Sequence, residues 1–298
     1  MQTETVFRYK DIIPDFDKFL ESIYKERDVT VRLNPHKISR KVLLDKLKSS
    51  FSEVKEIKWY EHAFKLGIND RPGKSLLHAL GYYYVQEESA MVAPIVLDPK
   101  KNSTVLDMCA APGGKTTQIS GLMENTGTIV ANDKAIPRLK SLVSNISRLG
   151  CINIIVTWND ARLLNVKDCF DYVLLDAPCT GEGNLFKEIN LMPKGMRDSL
   201  ARLQKTLLRK AIEAAKPNAT IVYCTCTFAP EENEEVVSQV LAAETAKIEK
   251  INIDVPHEKG LECFNNKDYG TELRKAIRIY PYHLNSGGAF IAKLRKRD

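Results

Sequence analysis

Five short apolar runs, at 104–108, 128–132, 153–157, 172–175 and 220–224, are spaced along the chain with helix-patterned segments between them. Runs that are apolar at nearly every position are what strands covered on both faces require. Their alternation with helices predicts a parallel sheet flanked by helices, an α/β doubly wound domain. A sixth run, 289–294, follows Gly287 and Gly288 and leads into a basic tail; it is expected to be an antiparallel edge strand. The pattern before residue 86 differs. A helix at 15–25, a strand at 29–33, a helix at 39–51 and a strand-like stretch at 57–64 read as a small α+β unit. The chain therefore divides into an appendage, 1–85, and a larger domain, 86–298.

Composition narrows the class without changing this picture. With 298 residues, 44% apolar and 28% charged, the chain can bury a real core. It lacks both a run of about 18 apolar residues for a membrane span and the apolar core of a secretion signal. A cytoplasmic, non-membrane protein is expected, and a monomer. Seven cysteines, an odd number without a signal, are expected to be reduced thiols that serve either as core filler or as chemistry.

The net charge of +6 is uneven, with five more basic than acidic residues in each of 32–48, 187–216 and 271–298. One such segment is a solvated helix face. Three together point to a groove for RNA or DNA.

The most informative stretch is TVLDMCAAPGGKTTQI, 104–119, a strand running into a small-residue turn and then a helix. In doubly wound sheets ligands bind beyond the carboxyl ends of the strands, and Gly113 and Gly114 let backbone N–H groups approach one closely. A phosphate-binding P-loop would need glycine where Cys109 stands, and Gly114-Lys115-Thr116 supplies only the end of that motif. The G-x-G-x-x-G spacing of a dinucleotide site is missing too. A nucleoside-type ligand without a pyrophosphate remains.

Asp133 ends the second run 19 residues after Gly114, where an acid accepts hydrogen bonds from ribose hydroxyls. Asp160 and Asp176 end the third and fourth runs. Three acids converging on one crevice suit S-adenosylmethionine, whose sulfonium and amino groups are cationic, although any one of them alone reads as a turn or helix cap.

Two cysteines end neighbouring runs at the same sheet edge: Cys179 in Asp176-Ala177-Pro178-Cys179, and Cys226 in Cys224-Thr225-Cys226. No closely spaced second Cys or His pair accompanies them, so a metal site is not expected. A thiol beside a methyl donor has a specific use. The C5 carbon of a pyrimidine is a poor nucleophile, and a thiolate adding at C6 makes it enamine-like and able to attack a sulfonium methyl. The adduct must then lose its C5 proton and expel the thiol, so a second group nearby is expected. Asp176 is suited to hydrogen-bond the N3 and exocyclic amine of cytosine. This chemistry leaves open which cysteine attacks.

DMCAAPGGKT (107–116), DAPCTGEG (176–183) and YCTCTFAPEENE (223–234), in that order, resemble the RNA 5-methylcytosine methyltransferases of the Sun/Nop family. VRLN (31–34), YVQEES (84–89) and RIYPYHLNSGGAF (278–290) extend the resemblance over nearly the whole chain. It implies a Rossmann-like methyltransferase sheet, S-adenosylmethionine as cofactor, and RNA as substrate, with transfer RNA favoured over ribosomal RNA. It also implies that Cys226 attacks and Cys179 assists release.

The family's cofactor residues carry over to Cys109, Ala110, Ala111, Pro112, Gly113, Gly114, Lys115, Asp133, Arg138, Asp160 and Asp176. Cys224 stands where the family usually has serine and adds a competing thiol. The acids Glu231, Glu232, Glu234 and Glu235 are expected to cap a helix beginning near Pro230.

Overall fold

The computed structural model describes residues 5–298. Near its start, α1 (Phe16–Tyr24) precedes β1 (Val29–Leu33), α2 (Arg40–Ser50), β2 (Val54–Glu56), β3 (Ala63–Leu66), the single turn α3 (Leu76–Ala79) and β4 (Tyr83–Val85). The strands form an antiparallel sheet in the order β2-β3-β1-β4, with Val31, Leu33, Phe64, Leu66 and Tyr83 packed against Leu43 and Leu47 of α2. The stretch expected as one strand at 57–64 is instead the turn between β2 and β3 with the first residues of β3. Helix α1 packs elsewhere: Phe16, Phe19 and Ile23 share a core with Phe228 and Tyr280 of the larger domain.

The larger domain alternates as expected through α4 (Val92–Leu97), β5 (Thr104–Asp107), α5 (Gly114–Leu122), β6 (Thr128–Asp133), α6 (Ile136–Leu149), β7 (Ile154–Trp158), β8 (Phe170–Asp176), α7 (Lys194–Ala214), β9 (Ala215–Thr225) and α8 (Glu234–Leu241). Strands β5 to β9 are mutually parallel, in the order β9-β8-β5-β6-β7. Successive residues serve opposite faces: Leu106, Val173 and Ile221 face one core with α7 and α8, while Val105, Leu174 and Val222 face another with α4 and α5. The chain reverses its winding direction between β5 and β8, which is where such sheets bind ligands. Strand β7 departs from the both-faces-covered reading: it is an edge, with Ile155 and Trp158 exposed.

The last third adds β10 (Ala246–Glu249), β11 (Glu258–Lys259), a small ribbon of β12 (Cys263–Phe264) and β13 (Lys267–Asp268), β14 (Ile277–Ile279), the turn α9 (Pro281–Leu284) and β15 (Ala289–Lys296). Strand β15 is antiparallel as expected, but it is not an edge. It lies along β9 on one side, while its first half pairs with β14 and its second half with β10 on the other. Its side chains alternate accordingly, with Phe290, Ala292 and Leu294 in one core and Ile291 in the other.

Part of the expected basic surface is paired, while Lys187, Lys194, Arg202 and Arg297 stay exposed. Arg278 is buried against Glu234, Arg295 pairs with Glu249, Lys296 with Asp168, and Arg209 with Glu244. Lys41, Lys46 and Lys48 on α2 remain exposed. Among the described residues no helix is long and apolar enough to cross a membrane.

Candidate active site

The turn after β5 is held from several directions. Ala110 N–H donates to Asn132 O at 2.8 Å, and Ala111 N–H to the Asp133 carboxylate at 3.2 Å. Ala111 O accepts from Arg138, Pro112 O from Asn145 at 3.0 Å, and Gly114 O from Arg32 at 3.1 Å. Gly113 sits at φ +104°, a conformation side chains rarely adopt, and a Cβ there would lie 2.8 Å from a Leu142 methyl. The turn delivers the chain into α5 with the first N–H groups of the helix lacking intrahelical acceptors, a cradle for an electron-rich ligand atom.

The predicted acids divide between two lobes that meet at Cys109. One lobe is lined by Asp133, Asp160, Asn132 and Arg138. There Asp133 is buried, accepts from Ala111 N–H and Ala135 N–H and pairs with Arg138, which leaves its carboxylate an acceptor site for a ribose hydroxyl. Asp160 is clasped by the Arg162 guanidinium and backbone N–H, which holds its carboxyl at about 2. The other lobe, a cleft of about 190 Å³, is lined by Asp107, Tyr84, Gln86, Gly114, Lys115 and Asp176.

Asp107 escaped the sequence reading although it ends β5 just as the predicted acids end their strands. It is buried, Oδ2 accepts from the Thr116 hydroxyl at 2.7 Å, and Oδ1 has no partner. Burial pushes this carboxyl up to about 7 against the Thr116 hydrogen bond. A buried carboxylate oxygen with no partner, beside glycines that admit a ligand to backbone N–H groups, fits a cofactor with cationic groups. Burial also pushes the Cys109 thiol up, so it stays protonated.

Beside this lobe opens a cleft of about 340 Å³, lined by Glu87, Lys115, Asp176, Asn184, Cys224 and Cys226 among others. Its geometry follows from β8 and β9, whose register sets Asp176 opposite Cys224. Past this pair the strands end and the two thiols converge: Cys179 Sγ and Cys226 Sγ lie 3.3 Å apart, and Cys226 N–H donates to Cys179 Sγ at 3.4 Å. The loop after Cys179 folds back, with Gly183 N–H donating to Cys226 O at 2.8 Å. A Cβ at Gly183 would lie 2.6 Å from Gly288 O.

Lys115 Nζ is 2.6 Å from Asp176 Oδ2. Burial disfavours the ammonium, but the facing carboxylate outweighs it and keeps Lys115 charged. The cysteine pair is asymmetric. The hydrogen bond from Cys179, aided by Lys115, favours the thiolate of Cys226 despite burial, whereas that same bond and then burial raise Cys179. Cys224 does not compete: it is buried, pushed up by burial and then by Asp176, and its thiol lies 3.5 Å from Asp176 Oδ1.

The helix expected near Pro230 begins only at Glu234, so Glu231 and Glu232 precede it, and Glu234 and Glu235 lie in its first turn. The side chain at its N-cap makes no capping hydrogen bond, and the four acids are bound elsewhere. Glu231 pairs with Arg8, Glu234 with the buried Arg278, and Glu235 with Lys205 and Lys267. Glu232 accepts hydrogen bonds from Thr180 and Gln204. Among the described residues no group of three or more His, Cys, Asp or Glu side chains is arranged to hold a metal ion.

Two family models match the chain: 16S rRNA methyltransferase RsmB/F over residues 94–295, and the N-terminal domain of 16S rRNA methyltransferase RsmF over residues 3–88. A tRNA (cytosine(49)-C(5))-methyltransferase of Pyrococcus abyssi is 37% identical over 98% of this chain and 95% of its own length. The 28S rRNA (cytosine(4447)-C(5))-methyltransferase of Homo sapiens is also 37% identical, over 96% of this chain but 37% of its own length. The crystal structure of NSun6 from Pyrococcus horikoshii with SFG, an S-adenosylmethionine analogue, superposes with a TM-score of 0.82 at 25% identity, covering 97% of each chain. The fold agrees with these matches, and the chain belongs to the RsmB/F family of S-adenosylmethionine-dependent RNA cytosine-C5 methyltransferases.

Proposed function

We propose that the chain methylates C5 of a cytosine in transfer RNA through a covalent adduct between Cys226 and C6, resolved with help from Cys179. The observation that carries the reading is the pair of free thiols, 3.3 Å apart, of which Cys226 lines a cleft that adjoins the glycine turn and contains the Lys115–Asp176 pair. The turn at Cys109 to Lys115 and the strand-end acids Asp107, Asp133, Asp160 and Asp176 would hold S-adenosylmethionine, which when bound would supply an electrophilic methyl group. Arg138 positions Asp133 and the turn.

Cys226, the thiolate of the pair, adds to C6 and makes C5 nucleophilic. Asp176, fixed by Lys115, is suited to accept from the exocyclic amine of the base. After methylation Cys179 assists loss of the C5 proton, and the C6–S bond breaks to return the Cys226 thiolate. A paired cytosine has to leave its helix to enter the cleft.

Transfer RNA is favoured because the Pyrococcus abyssi relative, matched over nearly its full length, is named for that substrate. Ribosomal RNA is the second reading, favoured by the names of the family models and of the human relative. The test is incubation with labelled S-adenosylmethionine and unmodified transcripts of both kinds, followed by nucleoside analysis. Label in 5-methylcytidine of transfer RNA is expected. Label confined to ribosomal RNA overturns the substrate choice, and absence of 5-methylcytidine overturns the reaction. Cys179→Ala should accumulate an RNA adduct that survives denaturing electrophoresis; if Cys226→Ala traps it instead, the two roles are reversed.

A further inference from the structure

Each of the paired cysteines is followed by a threonine, and the two hydroxyls meet: Thr180 Oγ1 and Thr227 Oγ1 lie 2.8 Å apart. Behind them lies Glu232, whose side chain is fully buried and has no part in the chemistry above. Its Oε1 accepts from the Thr180 hydroxyl at 2.6 Å. Its Oε2 accepts from Thr180 N–H at 3.0 Å and from the Gln204 amide at 2.9 Å. The same amide donates to Pro178 O at 2.8 Å. Glu232 thus grips the chain on both sides of Cys179, directly at residue 180 and through Gln204 at residue 178.

The threonine contact brings in the segment of the other cysteine. A hydroxyl has one proton to give, and that of Thr180 goes to Glu232; the Thr227 hydroxyl stands between Thr180 and the buried Glu182 carboxyl, either of which can accept its proton. The chain segments carrying the two thiols thus meet one residue past each sulfur. A buried carboxylate held by neutral donors is costly to keep, and it places a negative charge next to Cys179. Cys226 is faced by Lys115, Asp176 and Glu87 from other elements, and Cys179 by Glu232, with Glu182 beyond it.

We propose that Glu232 is a positioning residue for the methyl transfer. Through Thr180 and Gln204 it grips the chain on both sides of Cys179 and holds that sulfur against Cys226, and its carboxylate behind Cys179 adds to the preference for the thiolate at Cys226. The inference rests on Cys226 being the attacking thiol.

The test needs neither RNA nor cofactor, so its failure is separable from failure of the proposed reaction. Full-length wild type, Glu232→Gln, Thr180→Val and Thr180→Ser are labelled with limiting iodoacetamide across roughly pH 5 to 10. The labels at positions 179 and 226 are then counted by peptide mass. Wild type is expected to label first at Cys226. In Glu232→Gln the ratio of label at Cys226 to Cys179 should fall about tenfold, the equivalent of one pH unit of relative ionisation. Thr180→Val should move the ratio the same way, and Thr180→Ser, which keeps the hydroxyl, should restore it.

Wild-type ratios and pH profiles in both Glu232→Gln and Thr180→Val would overturn the proposal. Should Glu232→Gln fail to fold, Thr180→Val against Thr180→Ser decides in the same way. A wild type labelled first at Cys179 would overturn both this proposal and the assignment of Cys226 as nucleophile.

Discussion

Asp107 offers a direct check on the electrostatics of the cofactor crevice. Its carboxyl is 1% exposed, has one oxygen without a partner, and is pushed by burial to about 7 from an ordinary 3.8. Between those values the folded chain keeps a proton that the unfolded chain has released, so stability due to this group falls as pH rises. The contribution is fully present below the ordinary value and fully lost once pH exceeds about 7. At about 1.4 kcal/mol per pH unit, the whole effect is about 4 kcal/mol, of which about 2 to 3 kcal/mol falls between pH 5 and 8.

Asp107→Asn removes the titration and leaves the shape; groups remote from it cancel in the comparison, and the thiols it acts on, Cys109 and Cys224, are pushed up above the pH range used. Urea unfolding of both proteins without cofactor at several pH values should therefore show the variant gaining on wild type by about 2 to 3 kcal/mol from pH 5 to pH 8, whatever the offset at the lower end. Saturating S-adenosylmethionine, which brings positive charge to the crevice, should shrink that gain by favouring ionised Asp107. A stability difference that stays constant with pH, or narrows, refutes the argument.

Gly113→Ala should cost about 1 to 3 kcal/mol of stability and weaken S-adenosylmethionine binding, because φ +104° is strained for alanine and its Cβ meets Leu142; calorimetric titration and thermal melting read both effects. Arg278→Met leaves the Glu234 carboxylate buried without its cation and should cost about 3 to 5 kcal/mol by urea unfolding. Adding Glu234→Leu should recover most of that loss, and a single variant as stable as wild type would show that the pair does not hold β14 to α8.

The inner parallel strands were legible because they are covered on both faces, so a short run such as 172–175 has to be apolar at almost every position; β7, an edge, was read from the same kind of run although Ile155 and Trp158 are exposed. The thiols were legible for a related reason: Cys179 and Cys226 follow the ends of neighbouring runs, and β8 and β9 align those ends. Strand β15 was misread as an edge because its outer partners, β10 and β14, are four and three residues long, too short to carry a periodic signal.

The acids mark a different limit. Glutamates after a proline look like a helix start by every local rule, yet Glu231 pairs with a residue 223 positions away, Glu232 with one 52 away and Glu234 with one 44 away. Such partners are set by how distant turns, loops and strands pack, and pattern along the chain does not report that packing. The same blindness made the basic segments look like a groove, since a count of charges within 271–298 cannot see that Glu234, Glu249 and Asp168 lie opposite Arg278, Arg295 and Lys296. Charge read from a segment is a property of the surface only after these internal pairs are removed. By that measure the charge that the sequence assigned to a polyanion is kept by the exposed lysines of α2 together with Lys187, Lys194, Arg202 and Arg297, and not by Arg278, Arg295 or Lys296.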